Sequence, residues 1–344
     1  MRQWNQKPTI DQVARLCGVS KTTISRYLNG KFEFMSDETR DRIAHVIDEL
    51  DYRPSNFARS LKSKKSGLIG VVVADIQSPF SSMLVKGISD LCNKLGYHII
   101  IFYSDEDPDK ERDYLESLIG DRMVEGLIIN TTGNNDDLLT ELGETCPIIL
   151  AERAMRVLSF DTVANDSYSM TKEALLHMDE AGFQTIAFFT QPIGCNSVRR
   201  ARLEAYRDFW HARRTGEERV FELESPSADR CLRSFLDHHN DPNPGIFTVN
   251  GVTTLAVLKS TSRLGLKIPQ DFGLCGYDDW EWASLIGPGI TAIEHPTYQV
   301  GAEAANRLIA RIRGATGKPR LIQIPSVLHV RGSTILNGSS HLGR

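Results

Sequence analysis

The sequence predicts an α/β protein: a small three-helix, helix-turn-helix head followed by two doubly wound parallel-sheet subdomains. Three observations predict it. The chain has 344 residues, more than one hydrophobic core usually spans, so several domains are expected. Beyond Gly67, seven short unbroken apolar runs alternate with amphipathic stretches, the pattern of strands covered on both faces by helices. Before it, residues 1–66 carry 13 Lys and Arg against 8 Asp and Glu, while the remainder carries 27 against 36. A basic head on an acidic body points to a polyanionic partner for the head and a different task for the body.

The head is read first. Ile10, Val13, Ala14 and Leu16 or Cys17 recur at helical spacing, and Gly18 supplies the left-handed residue that ends such a helix. Ser20 then stands where an N-cap belongs, before a second helix with Ile24 and Leu28 inward. Its outward face carries Lys21, Thr22, Ser25 and Arg26. A major groove, about 12 Å wide, admits one such helix, whose Arg or Lys donates to guanine while Thr and Ser reach phosphates or base edges. A third helix is expected from the N-cap Ser36, with Ile43, Val46, Ile47 and Leu50 inward.

"YRPSNFARSLKSKKSG" follows, with one short helical stretch over 55–62 and a polar, basic linker. A helix of that length is marginal alone and is expected to order only against a partner. Arg59, Lys62, Lys64 and Lys65 offer phosphate contacts, and Leu61 is the one apolar side chain free to wedge into a minor groove.

In the body, strands are expected at 68–74, 97–103, 126–130, 147–151, 185–189, 245–249 and 272–277. The stretches "LCNKLGYHIIIF" and "HMDEAGFQTIAFF" resemble each other and imply two like halves, with a ligand where the loops leaving the strands converge. Those loops carry Phe80; Glu152 and Arg153; Arg199, Arg200 and Arg202; Asn250; Asp278, Asp279, Trp280 and Trp282; and His295. An aromatic plate beside groups that bind hydroxyls suits a carbohydrate, and the arginines suit a carboxylate or phosphate on it.

Other classes are excluded or disfavoured. Six scattered cysteines show no metal-ligand or disulfide spacing, so neither a metal nor a cofactor is expected. No apolar run reaches membrane-span length and no export signal is apparent, so a cytoplasmic protein is expected. An enzyme using Asp278, Asp279 and His295 is disfavoured, because no nucleotide-binding or nucleophile motif accompanies them. A sugar-binding sensor without specific DNA readout is the alternative reading. The tail "STILNGSSHLGR" has no leucine heptads to build a coiled coil.

"TIDQVARLCGVSKTTISRYLNG", "VIDELDYRPSNFARSLKSKKSGLIGVVV" and "GYDD", in that order, resemble the LacI/GalR family of bacterial transcription regulators. The resemblance implies a homodimeric repressor of carbohydrate or sugar-acid genes, a pseudo-palindromic double-stranded DNA operator, and an effector domain folded like periplasmic sugar-binding proteins. It implies boundaries at 1–53 for the reader, 54–66 for hinge helix and linker, 67–165 with 292–324 for one subdomain, and 166–291 with 325–340 for the other. Crossings are implied near Asn165, Ala292 and Pro325. By the same resemblance Lys21, Thr22 and Arg26 read bases; Thr9, Ser20, Thr23, Ser25 and Asn29 hold phosphates; and Leu61 pries open the central base step. Phe80 would stack on the effector, Glu152 and Asn250 bind hydroxyls, Arg202 clamp it, and Asp278 bind a hydroxyl pair. The stretch from Asp278 to Tyr298 is similar to regulators answering to ketogluconate-type sugar acids. Two departures stand out: Asn250-Gly251 where many relatives carry Asn-Asp, and Met170 where a glycine is common.

Overall fold

The computed structural model describes residues 8–28, 30–52, 66–120, 123–213, 217–223, 228–237 and 242–336. Asn29 and the expected hinge segment with Arg59 and Leu61 lie outside them. The chain divides into two compact units, Met1–Ser66 and Gly67–Arg344.

In the first unit, α1 (Ile10–Leu16), α2 (Lys21–Leu28) and α3 (Asp37–Glu49) enclose a core of Val13, Ala14, Cys17, Ile24, Ile43 and Tyr52. Thr9 and Gln12 cap α1 reciprocally, which satisfies two backbone donors that the first turn leaves free. Gly18 has φ +64°, which turns the chain sharply enough to bring α2 across α1. Cys17 is the inward residue at the end of α1 and Leu16 is exposed, resolving that pair. Ser20 and Ser36 accept hydrogen bonds from Thr23 N and Thr39 N, each an N-cap.

The second unit holds two six-stranded sheets. The first, in order β11-β5-β4-β3-β1-β2, is built from β1 (Leu68–Val73), β2 (His98–Tyr103), β3 (Gly126–Ile129), β4 (Ile148–Ala151), β5 (Asp161–Ala164) and β11 (Leu321–Gln323). The second, in order β12-β10-β9-β8-β6-β7, is built from β6 (Thr185–Thr190), β7 (Val220–Glu222), β8 (Pro244–Thr248), β9 (Gly273–Tyr277), β10 (Thr291–Glu294) and β12 (Val327–His329). Helices α4 (Pro79–Lys94), α5 (Pro108–Gly120), α6 (Asp136–Gly143) and α11 (Thr297–Ile312) accompany the first; α7 (Ser167–Glu180), α8 (Ser197–Arg213), α9 (Ala228–Asp237) and α10 (Gly251–Leu264) accompany the second. The unbroken apolar runs have a simple cause. In β1, Ile69, Val71 and Val73 pack into one core with Leu84 and Leu308, while Val72 points the other way to Leu115 and Leu139.

Several expectations need correction. The run at 97–103 is an edge strand with Ile101 and Tyr103 exposed, not one covered on both faces. Strand β12 pairs antiparallel with β10, so the second sheet is not wholly parallel. Strand β10 belongs to the second sheet, so the return crossing falls at His295–Pro296 rather than Ala292. The two sheets do share one strand order, but the quoted internal similarity does not follow it: one stretch enters the edge strand β2, whereas the other enters β6, the counterpart of β1. Met170 packs against the core of the second sheet, which accounts for an apolar side chain there.

Strand β5, "DTVA", depends on distant charges. Asp161 has its side chain fully buried and accepts from Arg307 Nε and Arg311 Nε at 2.8 Å each and from Arg320 N at 2.8 Å, tying α11 and β11 to the sheet. Burial pushes the carboxyl up, but the Arg311 and Arg307 guanidiniums and the Arg320 N–H outweigh it and hold the group below the usual carboxylate range. Such a depressed group stabilises the fold above its unfolded pKa, and that stability is lost as pH falls through the folded value. Asp161→Asn is therefore expected to cost about 2–3 kcal/mol at neutral pH. The deficit relative to wild type should shrink on acidification, read by urea unfolding at pH 7 and pH 3; an equal deficit at both would contradict it.

Candidate functional site

Two surfaces collect the polar chemistry, one in each unit. In the head, Ile24 is fully buried, so the opposite face of α2 is turned to solvent, with Lys21, Thr22 and Arg26 exposed. Thr9, Ser20 and Thr23 are engaged at helix N-termini: Thr9 caps α1, and Ser20 Oγ lies 3.0 Å from Thr23 Oγ1. Ser25 is half-buried. Lys21 Nζ lies 2.5 Å from Asp11 Oδ1, an exposed pair worth at most about 1 kcal/mol and cheap to exchange for a phosphate or base. The Arg26 guanidinium stands 5.0 Å from the ring centre of Phe34, an exposed aromatic that sequence reading did not single out.

In the body, Phe80, Glu152, Arg153, Arg202, Asn250 and Asp278 line one cleft between the sheets, enclosing about 620 Å³ with its open mouth included. Glu152, Arg153, Asn250 and Asp278 follow the C-terminal ends of strands, where ligands gather in open α/β sheets, and Phe80 and Arg202 lie near the N-terminal ends of α4 and α8, the helices that come next after such ends. Glu152 follows β4 and Asp278 follows β9, strands at the same place in the two sheet orders. Both have left-handed backbones, φ 66° and 67°, a conformation that costs a non-glycine residue about 1 kcal/mol or more and recurs at functional sites. Their N–H groups donate to Val163 O at 2.7 Å and Ile293 O at 3.0 Å, on the neighbouring strands, which holds the strain in place.

Arg202 is the most constrained of these residues. It is buried, donates to Val249 O at 2.5 Å and Ser167 Oγ at 3.2 Å, and has its guanidinium carbon over the Tyr277 ring at 3.4 Å from the ring centre. Its Nη2 is 3.7 Å from Glu152 Oε1, an oxygen that is buried and accepts no hydrogen bond. Burial pushes the Glu152 carboxyl up, but His295 and Arg202 beside it outweigh that, and the group lies below its ordinary range.

His295 stands behind the cleft wall. Its Nε2 is 2.9 Å from Glu152 Oε2, its Nδ1 is 2.8 Å from Thr297 Oγ1, and its ring packs against Phe80 at 5.1 Å. It orients two cleft residues and does not line the cavity itself. Trp280 is not among the lining residues either. Its ring covers Gly251, where an added Cβ would come within 2.8 Å of it, and the Gly251 N–H donates to Asp278 Oδ2 at 2.9 Å. The indole occupies the place of a side chain at 251, which explains the missing carboxylate of Asn250-Gly251. Asp279 turns away into a double hydrogen bond with Arg331, at 2.6 and 2.7 Å.

Sequence reading missed Glu106, Asn130, Gln191 and Asn196, which also line the cleft. Gln191 Oε1 accepts from Asn250 Nδ2 at 2.7 Å and Arg199 Nη2 at 3.0 Å. Glu106 sits in an acidic run that reads as a solvated turn. Chemically the cleft offers carboxylate acceptors, amide and guanidinium donors and one aromatic face, a set suited to a polyhydroxylated ligand. Among the described residues no His, Cys, Asp and Glu group could hold a metal ion, and no helix is long and apolar enough to cross a membrane.

Comparison with known proteins agrees with this division. Residues 9–55 match the model for bacterial regulatory proteins of the lacI family, and residues 175–334 that for a periplasmic binding protein-like domain. The HTH-type transcriptional regulator KdgR of Bacillus subtilis (strain 168) is 40% identical, over 94% of this chain and 97% of that one. A structure of the lac repressor dimer bound to operator and the anti-inducer ONPF superposes with a TM-score of 0.84 at 22% identity, covering 96% of this chain and all of that one. A LacI family transcriptional regulator from Enterococcus faecium with bound ribose superposes with a TM-score of 0.69 at 25% identity, covering 78% of this chain and 98% of that one.

Proposed function

The chain belongs to the lacI family of bacterial regulatory proteins, DNA-binding transcriptional regulators, and from that premise we propose how this member reads an operator and answers a sugar-like effector. The observation that carries the proposal is the exposed face of α2, where Lys21, Thr22 and Arg26 stand free of the core that Ile24 anchors. On the operator, Lys21, Thr22 and Arg26 face base edges. Thr9, Ser20, Thr23, Ser25, Asn29 and Arg59 hold phosphates, and Leu61 wedges into the minor groove between half-sites. The regulator represses genes of carbohydrate or sugar-acid metabolism, and acts in the cytoplasm where its DNA lies.

One head contacts too few bases for specific binding, so two copies act together on a pseudo-palindrome. A groove lined by Leu255, Leu258, Ile268, Ile286 and Pro288, next to Leu285 with 80% of its surface exposed, is the apolar face that a second copy covers. The expected result is that Leu285→Asp sediments as a monomer and binds a selected palindromic duplex no better than a half-site duplex. A dimeric Leu285→Asp protein with wild-type operator affinity would contradict this placement.

The cleft binds the effector, a sugar or sugar acid. Phe80 meets a C–H face; Glu152, Asn250 and Asp278 take hydroxyls; Arg202 and Arg153 supply cations; and His295 and Trp280 hold these groups from behind. Support comes from the polar, half-enclosed geometry and from the ribose held by the related Enterococcus faecium regulator. Binding rather than catalysis is the reading for this cleft: Asp279 is taken up by Arg331, so Asp278 and Asp279 do not act there as an acid–base pair. Effector binding alters the relation of the two sheets and through it operator affinity, a coupling of about 1–3 kcal/mol.

A further inference from the structure

Arg153 and Arg199 reach into the cleft from opposite subdomains, one after β4 and the other on α8. Both guanidiniums are nearly buried, with 12% of each side chain exposed, and buried cations demand a counter-charge. Glu106 supplies it. Arg153 Nη1 and Nη2 donate to Glu106 Oε2 and Oε1 at 3.0 and 2.6 Å, a two-pronged fork, and Arg199 Nη2 donates to Oε1 at 3.2 Å.

The three partners are not equally fixed. Arg153 also donates to Thr131 O at 3.1 Å, and Arg199 to Pro192 O at 2.7 Å and Gln191 Oε1 at 3.0 Å, so both cations keep anchors without Glu106. Glu106 is the most exposed of the three, and it sits with Asp105 on a turn where both residues have left-handed backbones, φ 59° and 54°. The movable member is the anion. Although burial pushes its carboxyl up, Arg153 and Arg199 outweigh that and hold it below the usual range, so it stays charged at neutral pH.

We propose that Glu106 is a tethered stand-in for the effector's own acid group: it occupies the Arg153–Arg199 seat while the cleft is empty and is exchanged for the carboxylate of an incoming sugar acid. This rests on the reading of the cleft as the effector site. A neutral sugar cannot make the exchange, because ejecting Glu106 without replacement leaves two buried like charges. The cleft's remaining charges do not serve instead, since Arg202 stands beside Glu152, Asp278 accepts from Gly251 N and Asp75 accepts from Gln77 N. The fork of Arg153 already grips a planar, two-oxygen carboxylate in this seat, so a carboxylate is the group the seat is seen to accommodate. Glu106 thereby selects anionic over neutral sugars.

The test uses the full-length chain and chemical rescue. Glu106→Gly empties the seat, and glycine suits the left-handed turn, so the variant should fold. Acetate is expected to raise its melting temperature saturably, while acetamide does nothing and acetate leaves wild type unmoved. Adding Arg153→Gln should abolish the rise. Absence of a carboxylate-specific rise, or an equal rise in wild type, overturns the proposal; a larger effect of inorganic phosphate than of acetate overturns its carboxylate choice. Release of operator by a panel of sugar acids and their neutral alcohols is scored separately. Glu106→Gln should lower the sugar-acid concentration needed at least tenfold and let the neutral alcohols, which wild type excludes, release operator as well. A panel silent on wild type counts against the effector reading of the cleft, whereas the acetate result alone decides the role of Glu106.

Discussion

Arg26→Ala is expected to lower affinity for the selected operator by a factor of about 30 to 10⁴ while leaving weak, sequence-independent DNA binding nearly intact. A bidentate arginine contact to guanine contributes about 1–3 kcal/mol of discrimination, and a dimer loses it at both half-sites, roughly doubling the cost. Structural damage is not expected. Arg26 is exposed, and its guanidinium stands against the exposed ring of Phe34, outside the core of the head. Fluorescence anisotropy on operator and scrambled duplexes at physiological salt, with thermal melting as the control, separates readout from folding. Unchanged discrimination between the duplexes would reject the assignment of α2 as the reader.

Arg202→Ala is the second large effect, and it acts on stability as well as on the effector response. By the family resemblance Arg202 is a ligand clamp whose loss destroys the effector response and spares DNA binding. In the structure its guanidinium also satisfies Val249 O and Ser167 Oγ, covers the ring of Tyr277 and stands beside Glu152. Removing it leaves a buried carboxylate short of a cation and a buried carbonyl short of a donor, a loss of about 3–5 kcal/mol. For a body of this size that is a fall in melting temperature of about 10 °C. Below that transition the variant should bind operator yet ignore effector. Arg202→Lys should recover little, because a single ammonium cannot replace the planar fork. Wild-type unfolding free energy in Arg202→Ala, measured in urea, would contradict this account.

The head was legible almost in full because its determinants are local: Ser20 and Ser36 as caps, Gly18 as the turn, and an apolar stripe three or four residues apart. The long apolar strands were legible for the same reason, since burial on both faces leaves an unbroken run. What stayed hidden depends on partners far along the chain. Strand β5 begins with Asp161, which reads as a loop residue until Arg307 and Arg311, about 150 residues on, neutralise it. Glu106 reads as part of a solvated acidic turn, and its partners lie 47 and 93 residues away. Strands β10 and β12 are short, and their pairing is decided by a chain that leaves and re-enters the second sheet. Trp280 looked like a sugar platform because aromatics beside aspartates often are; only the fold brings its ring onto Gly251.

The repeated passage of the chain between the two sheets also governs the order in which this protein can be made. The first sheet lacks α11, whose Val300 and Leu308 fill its core, and its edge strand β11 until residues beyond 320 have been synthesised. The second sheet then waits for β12, only a few residues later. Neither half of the body can close as an autonomous fragment during translation, so both are completed nearly together at the end. The head, by contrast, is a contiguous unit of short-range contacts and emerges first. A ribosome stalled before residue 297 would therefore carry a finished reader beside a body whose sheets still expose their apolar faces.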